Sequence, residues 1–202
     1  MERVVKSFGF SLALFLIFGA MTVSRGRSLF TEFRWMELLW LFYNGTLCVL
    51  FLIRSRPSVV SLHPVHWLVA LLTSFSGLFL QQRPAAPPAL ETIADVMIVA
   101  GILASVVAGI SLGRSYDVFP ALRGLTTGWI YGLIRHPMYL SSIVIRLGYV
   151  LKHPSAYNLL IFAGIVWLYD LRAGYEESVL ENDPRYADYR NRVRFRFVPG
   201  IR

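Results

Sequence analysis

Cysteine is nearly absent: Cys48 is the single one in 202 residues, and it sits inside an apolar run. No disulfide can form within the chain and no thiolate metal site can be built, so Cys48 reads as a small buried hydrophobe. Charge is also scarce, at 16% of residues, where soluble domains carry about 25%. Acidic residues are the scarcest, twelve against twenty Lys and Arg. His63 and His66 bracket two residues at the edge of an apolar run, and no third ligand accompanies them, so no metal site is expected. Internal repeats and low-complexity tracts are missing too.

What is abundant is apolar. Hydrophobic residues make up 55% of the chain and mean hydropathy is +0.54. This composition argues against a soluble globular domain and is the opposite of disorder. The net charge is +8 and the pI about 10.0. In a soluble protein that would suggest nucleic acid. Here the cations fall between apolar runs, which gives them another explanation.

The runs are Phe8 to Val23, Trp35 to Ile53, His63 to Leu80 and Leu90 to Leu112. Ser24-Arg25-Gly26-Arg27 is a poor cleavage site, so the first run reads as a retained span rather than a signal peptide. Gly101, Gly109 and Gly113 in the fourth would permit close helix packing. Two shorter runs, Met138 to Leu151 and Pro154 to Leu171, meet at Lys152 and His153 and read as a helical hairpin, with His153-Pro154 as its turn. Asn44, within the second run, is expected to bond between helices. The expectation is an all-α polytopic integral membrane protein. It would have five to six transmembrane helices, a short helical hairpin and a cytoplasmic C-terminal helix. Residues 1–89 would be membrane spans of unassigned role and residues 90–202 a functional core.

Lys and Arg counts orient it. With alternating segments and an inside N-terminus, fourteen cations fall inside and five outside, with Arg146 left within a span. Both termini, the tail and the interrupted stretch Gly113 to Pro137 are therefore expected on the cytoplasmic side. Nucleic acid is not needed as a partner; membrane lipids are. The tail arginines alternating with Phe195 and Phe197 read as a strip on anionic lipid.

The chemistry gathers on that side. The interrupted stretch ends in Arg135-His136-Pro137-Met138-Tyr139, and the tail opens with Arg172 and the pair Glu176-Glu177. It closes with YADYRNRVRFRFVPG. From Ser111 to Arg202 the sequence resembles the isoprenylcysteine carboxyl methyltransferase family. These are integral membrane methyltransferases that use S-adenosylmethionine and are related to phospholipid N-methyltransferases. The resemblance rests on RHPxY followed about 40 residues later by EExxL, and it implies a cofactor site of Tyr131, Arg135, His136, Pro137, Tyr139, Glu176 and Glu177.

The residue types suit that donor. A carboxylate such as Glu176 accepts from an ammonium or ribose hydroxyls. Pro137 fixes a helix start whose N–H groups would meet the donor's carboxylate. Tyr131 and Tyr139 would pack on adenine or ribose. Arg172 lies four residues before Glu176 and so shares its helix face. The resemblance implies that an arginine at this offset holds the substrate carboxylate. Arg146 follows Tyr139 by two turns and either lines the acceptor site or snorkels to the interface. Both arginines are candidate catalytic residues. A carboxylate acceptor is ionised at neutral pH and needs no base. A phospholipid amine must first lose a proton, and no dedicated base stands out. Carboxylate O-methylation of an isoprenylcysteine-like or lipid acid is therefore favoured over phospholipid amine N-methylation. The lipophilic or lipidated acceptor would enter from the bilayer. Two other readings stand beside these. One is an NADPH-dependent membrane reductase, since sterol reductases share an RHPxY-like element and Arg114 and Arg123 would then face a 2′-phosphate. The other is a scaffold that binds neither cofactor.

Overall fold

Proline sets three of the helix starts. Pro64, Pro88 and Pro137 each occupy a first-turn position, where the missing N–H costs nothing. Another long helix, Ala156–Leu180, is capped by Ser155, whose hydroxyl accepts from the amide of Asn158. The computed structural model describes residues 15–24, 26–27, 35–198 and 200. The helices are α1 (Phe15–Ser24), α2 (Trp35–Ile53), α3 (Pro64–Ser74), α4 (Pro88–Leu112), α5 (Pro137–Lys152), α6 (Ala156–Leu180) and α7 (Tyr186–Arg192). Short 3-10 turns cover Ser76–Phe79, Gly113–Ser115 and Trp129–Gly132. Of the first expected span, residues 8–14 lie outside the described residues.

The all-α expectation holds, but the count of spans does not carry over. Among the described residues, α2 and the segment Pro88–Ser115 are the two helices long and apolar enough to cross a membrane. The run His63 to Leu80 does not form one long helix. α3 ends after 11 residues and a 3-10 turn follows. The hydroxyls of Thr73 and Ser74 fold back onto the carbonyls of Val69 and Ala70 (2.8 and 2.7 Å), and Ser76 donates to Thr73 O at 2.7 Å. Such local bonds compete with the helical ladder. α6 departs in the other direction. It runs on through Arg172 and Glu176 to Leu180, so these residues stand on a helix end rather than in a tail.

α4 and α5 form the tightest pair. A Cβ on Gly101 would lie 2.6 Å from Ile145 Cγ1, and one on Gly148 would lie 2.8 Å from the carbonyl of Ala94. Glycine at both positions lets the backbones approach. Gly109 instead meets Leu50 of α2, and Gly113 ends α4 with φ +51°. Asn44 bonds within its own helix, donating to Trp40 O at 3.0 Å, and among the described residues it makes no bond across to a neighbour. An i−4 carbonyl is always in reach of a buried polar side chain on a helix, so no partner helix is required.

One end of the bundle is fastened by a two-residue antiparallel ladder, β1 (Val59–Val60) on β2 (Ala121–Leu122). There Asp117 takes Arg54 at 3.2 Å and Arg123 at 2.7 Å. At the other end Lys152 reaches Asp95 at 2.7 Å and Glu91 at 3.3 Å. Asn158 there exchanges bonds with the backbone of Gln81. His153 closes α5 as the hairpin turn, with its ring on Arg83 O.

Candidate active site

The loop between α4 and α5 turns on Gly124. Its φ of +150° suits glycine, and a Cβ there would come within 3.0 Å of Ser115 Oγ. The loop then tucks Tyr131 into the protein on the 3-10 turn before α5. Burial raises the Tyr131 phenol well above its ordinary value, with Glu176 adding to the shift, so it stays a neutral donor. Between this loop, the start of α5, the end of α6 and α7 lies a cleft of about 440 Å³, its open mouth included. Tyr131, Arg135, His136, Glu176, Tyr186 and Tyr189 contribute to its lining.

Behind the cleft sits Glu177, which is buried. Its Oε1 accepts from Arg135 Nε (3.0 Å), His136 Nε2 (3.0 Å) and Arg196 Nε (3.2 Å), and its Oε2 accepts from Arg196 Nη2 (2.9 Å). Burial alone would raise its pKa. The hydrogen bonds from His136 and Arg196 outweigh that and hold the carboxyl far below the ordinary glutamate range. Arg196 also pairs with Asp170 at 2.6 Å. The amides of Arg135 and His136 donate to the carbonyls of Phe195 and Arg196, both at 3.0 Å. The segment after α7 is therefore laced onto the start of α5. Arg196 faces inward and is not part of a lipid-facing strip; Arg194 remains exposed.

Glu176 is the more accessible carboxylate, with its side chain 30% exposed. The Tyr139 hydroxyl donates to it, and His136 Nδ1 is 3.8 Å away. The Tyr139 ring in turn lies under Arg172, whose Cζ is 4.9 Å from its centroid. Arg172 is buried. It donates to Thr73 Oγ1 at 2.7 Å and Val118 O at 2.6 Å, while its Nε has no partner among the described residues. Arg146 approaches Thr73 as well, with Nη2 at 3.4 Å from the Thr73 carbonyl.

The structure thus brings together all nine residues expected at the site, in two groups. Tyr131, Arg135, His136 and Glu176 line the cleft. Pro137, Tyr139 and Glu177 are not among its lining residues. At the helix start after Pro137 the amides of Tyr139 and Leu140 return to His136 O. Arg123 is held by Asp117 and the carbonyl of Ser55, so it does not offer itself to a 2′-phosphate. Gly124, Tyr186 and Tyr189 were not expected at the cleft. The hydroxyl of Tyr186, a residue 1% exposed, has no partner among the described residues. Tyr189 donates to Tyr131 O at 2.8 Å and so braces the cleft wall. Their three-residue spacing on a short helix, facing one way, was the available signal.

No curated protein matches the chain. The family model for phospholipid methyltransferases matches residues 90–184, from the start of α4 to just beyond α6. The matched stretch contains Tyr131, His136, Tyr139, Arg146, Arg172 and Glu176 but neither Thr73 nor Arg196. Over residues 90–184 the chain thus matches a family that belongs to the group of membrane methyltransferases including the isoprenylcysteine carboxyl and phospholipid methyltransferases.

Proposed function

We propose that the protein transfers a methyl group from S-adenosylmethionine to the carboxylate of a lipophilic acid. The observation that supports this best is Arg172. It is a buried guanidinium with a free Nε, seated one ring away from the carboxylate that faces the cleft.

The cleft's groups suit the donor. Glu176 would accept from its ammonium or ribose hydroxyls, His136 would bond beside it, and the unpartnered Tyr186 hydroxyl would find a partner. Gly124 leaves room where a side chain would intrude on the loop. S-Adenosylmethionine would supply a methyl on a positively charged sulfur that leaves as a neutral thioether, and an ionised carboxylate would accept that methyl without a base. The protein's share is alignment: Arg172 orients the acid, Glu176 fixes the donor end, and Tyr139 touches both. Water exclusion strengthens each of these contacts.

The same reading makes the protein multi-pass, with the site at the cytoplasmic end. Arg54, Arg114, Arg123 and Arg135 all stand at that end of the bundle, as the positive-inside tendency requires. The acceptor would come from the bilayer and the polar donor from the cytoplasm.

The family match supports a second reading, methylation of a phospholipid amine, with Arg172 meeting the lipid phosphate. The two are separated by incubating the purified protein with methyl-labelled S-adenosylmethionine and a lipid extract. A methyl ester releases labelled methanol in mild base; an N-methyl group does not. Base-labile label supports the carboxylate reading, base-stable label the amine reading. No transfer to any lipid fraction would remove both.

A further inference from the structure

Arg146 stands on the tenth residue of α5, roughly 13–14 Å along the helix from its start at 1.5 Å per residue. A cation at that depth among apolar helices is costly unless something answers it. Its bonds all go to uncharged oxygens: Ser76 Oγ at 2.5 Å, Ser142 O at 3.0 Å and Thr73 O at 3.4 Å. Its guanidinium carbon lies 5.7 Å from the centre of the Tyr169 ring. The side chain is turned to the break after α3 rather than out along α5 toward an interface, so it does not snorkel. It is also incompletely buried, which leaves an edge for a ligand.

Arg172 reaches the same residue from α6, on Thr73 Oγ1. Thr73 is therefore flanked by two guanidinia, one on its hydroxyl and one on its carbonyl. Among the described residues neither cation forms an ion pair with a carboxylate. The interrupted helix supplies neutral oxygens that hold the two cations in place without neutralising them. Broken helices serve membrane proteins as the lining of ligand sites.

We infer that the acceptor carries two neighbouring acidic groups, one carboxylate at Arg172 to be methylated and a second anion held by Arg146. This rests on the acidic-acceptor reading above. A single acid leaves Arg146 without a counter-charge; a vicinal diacid supplies one to each guanidinium. Arg146 then determines specificity and takes no part in the transfer.

The test is calorimetric titration of the full chain in lipid nanodiscs, without methyl donor, at mildly alkaline pH where both carboxyls ionise. The probes are hexadecanoic acid and tetradecylsuccinic acid, which share a tetradecyl tail and differ by one carboxymethyl arm that adds the second, vicinal carboxylate. The wild-type protein is expected to bind the diacid at least about tenfold more tightly, the scale of one well-placed charge pair. Arg146→Gln should bring the two within about threefold of each other. Arg146→Lys keeps the charge but loses the fork and should also shrink the preference, so the inference remains testable if the glutamine variant does not fold. Equal affinities in the wild type, or a preference undiminished in both variants, overturn it. If neither acid binds, the acidic-acceptor reading falls as well; if hexadecanoic acid binds and the diacid gains nothing, this inference alone falls.

Discussion

Arg172 lies face-on to Tyr139, its guanidinium carbon 4.9 Å from the ring centre, while the hydroxyl of the same tyrosine is given to Glu176. One ring thereby links the cation proposed for the acceptor to the carboxylate proposed for the donor. A planar guanidinium stacks on an aromatic face in a way an ammonium does not. Arg172→Lys should therefore lower methyl transfer by about a hundredfold, the cost of losing oriented, bidentate contact. Donor affinity should change far less. Single-turnover transfer and calorimetric donor titration, run side by side, check this. Donor binding that falls as far as turnover would refute the acceptor role.

Glu176 offers the opposite case. Its side chain reaches the cleft, and a carboxylate that meets an ammonium or a diol contributes about 1.5–3 kcal/mol. Glu176→Gln keeps the size and removes the charge. Donor affinity should weaken by roughly ten- to hundredfold. Tyr139→Phe, which deletes the hydroxyl but keeps the ring under Arg172, should weaken it less. A glutamine variant that binds the donor as tightly as wild type would mean that Glu176 is not the donor's partner.

Much of this was written in the sequence, and the exceptions have physical reasons. α2 coincides with the run Trp35 to Ile53 because no proline interrupts it and Pro57 follows shortly beyond its end. α6 overran its apolar stretch because helix formation depends on the backbone, and neither Arg172 nor Glu176 opposes it. Glu176 and Glu177 look equivalent in sequence. Consecutive helix residues point about 100° apart, so one faces the cleft and the other the Arg135–His136–Arg196 cluster. Gly124 and Tyr186 reach the cleft through the path of a loop and the fold-back of the tail. Gly124 has no periodicity that could announce it, and the spacing of Tyr186 from Tyr189 marks a shared face without saying what that face meets.

The Glu177 cluster predicts an acid limb in stability. Its folded-state pKa lies far below the ordinary 4.5. A depressed carboxylate stabilises fully above its unfolded pKa, and the contribution fades as pH falls from there toward the folded value. Wild-type melting temperature should hold steady above about pH 5 and decline below about pH 4.5. Glu177→Ala should lower the melting temperature at neutral pH, since it leaves the buried Arg135 without its carboxylate and Arg196 with Asp170 alone, a loss of about 3 kcal/mol. Its decline in acid should be shallower than the wild type's. Fluorescence-monitored melting across pH, with parallel slopes in the two proteins, would remove Glu177 from that role.

The α4–α5 contact gives a prediction about packing alone. At Gly148 a methyl group would sit 2.8 Å from both the Ala94 carbonyl and Ile98 Cγ1, and one of those atoms is backbone. The helices must separate to admit it, at a cost of about 1–3 kcal/mol for overpacking. At Gly164, on α6, the same methyl meets nothing within 4 Å. There alanine only improves helix propensity, by up to about 1 kcal/mol. Gly148→Ala should thus lower the melting temperature and Gly164→Ala should leave it level or raise it. The first change also bears on the site, because α5 carries Pro137, Tyr139 and Arg146 on the same rigid rod. If α5 is displaced from α4, Tyr139 moves relative to Arg172, and transfer should fall even in the fraction that stays folded. A Gly148→Ala protein with wild-type stability and wild-type rate would show that the close approach of α4 and α5 does not position the site.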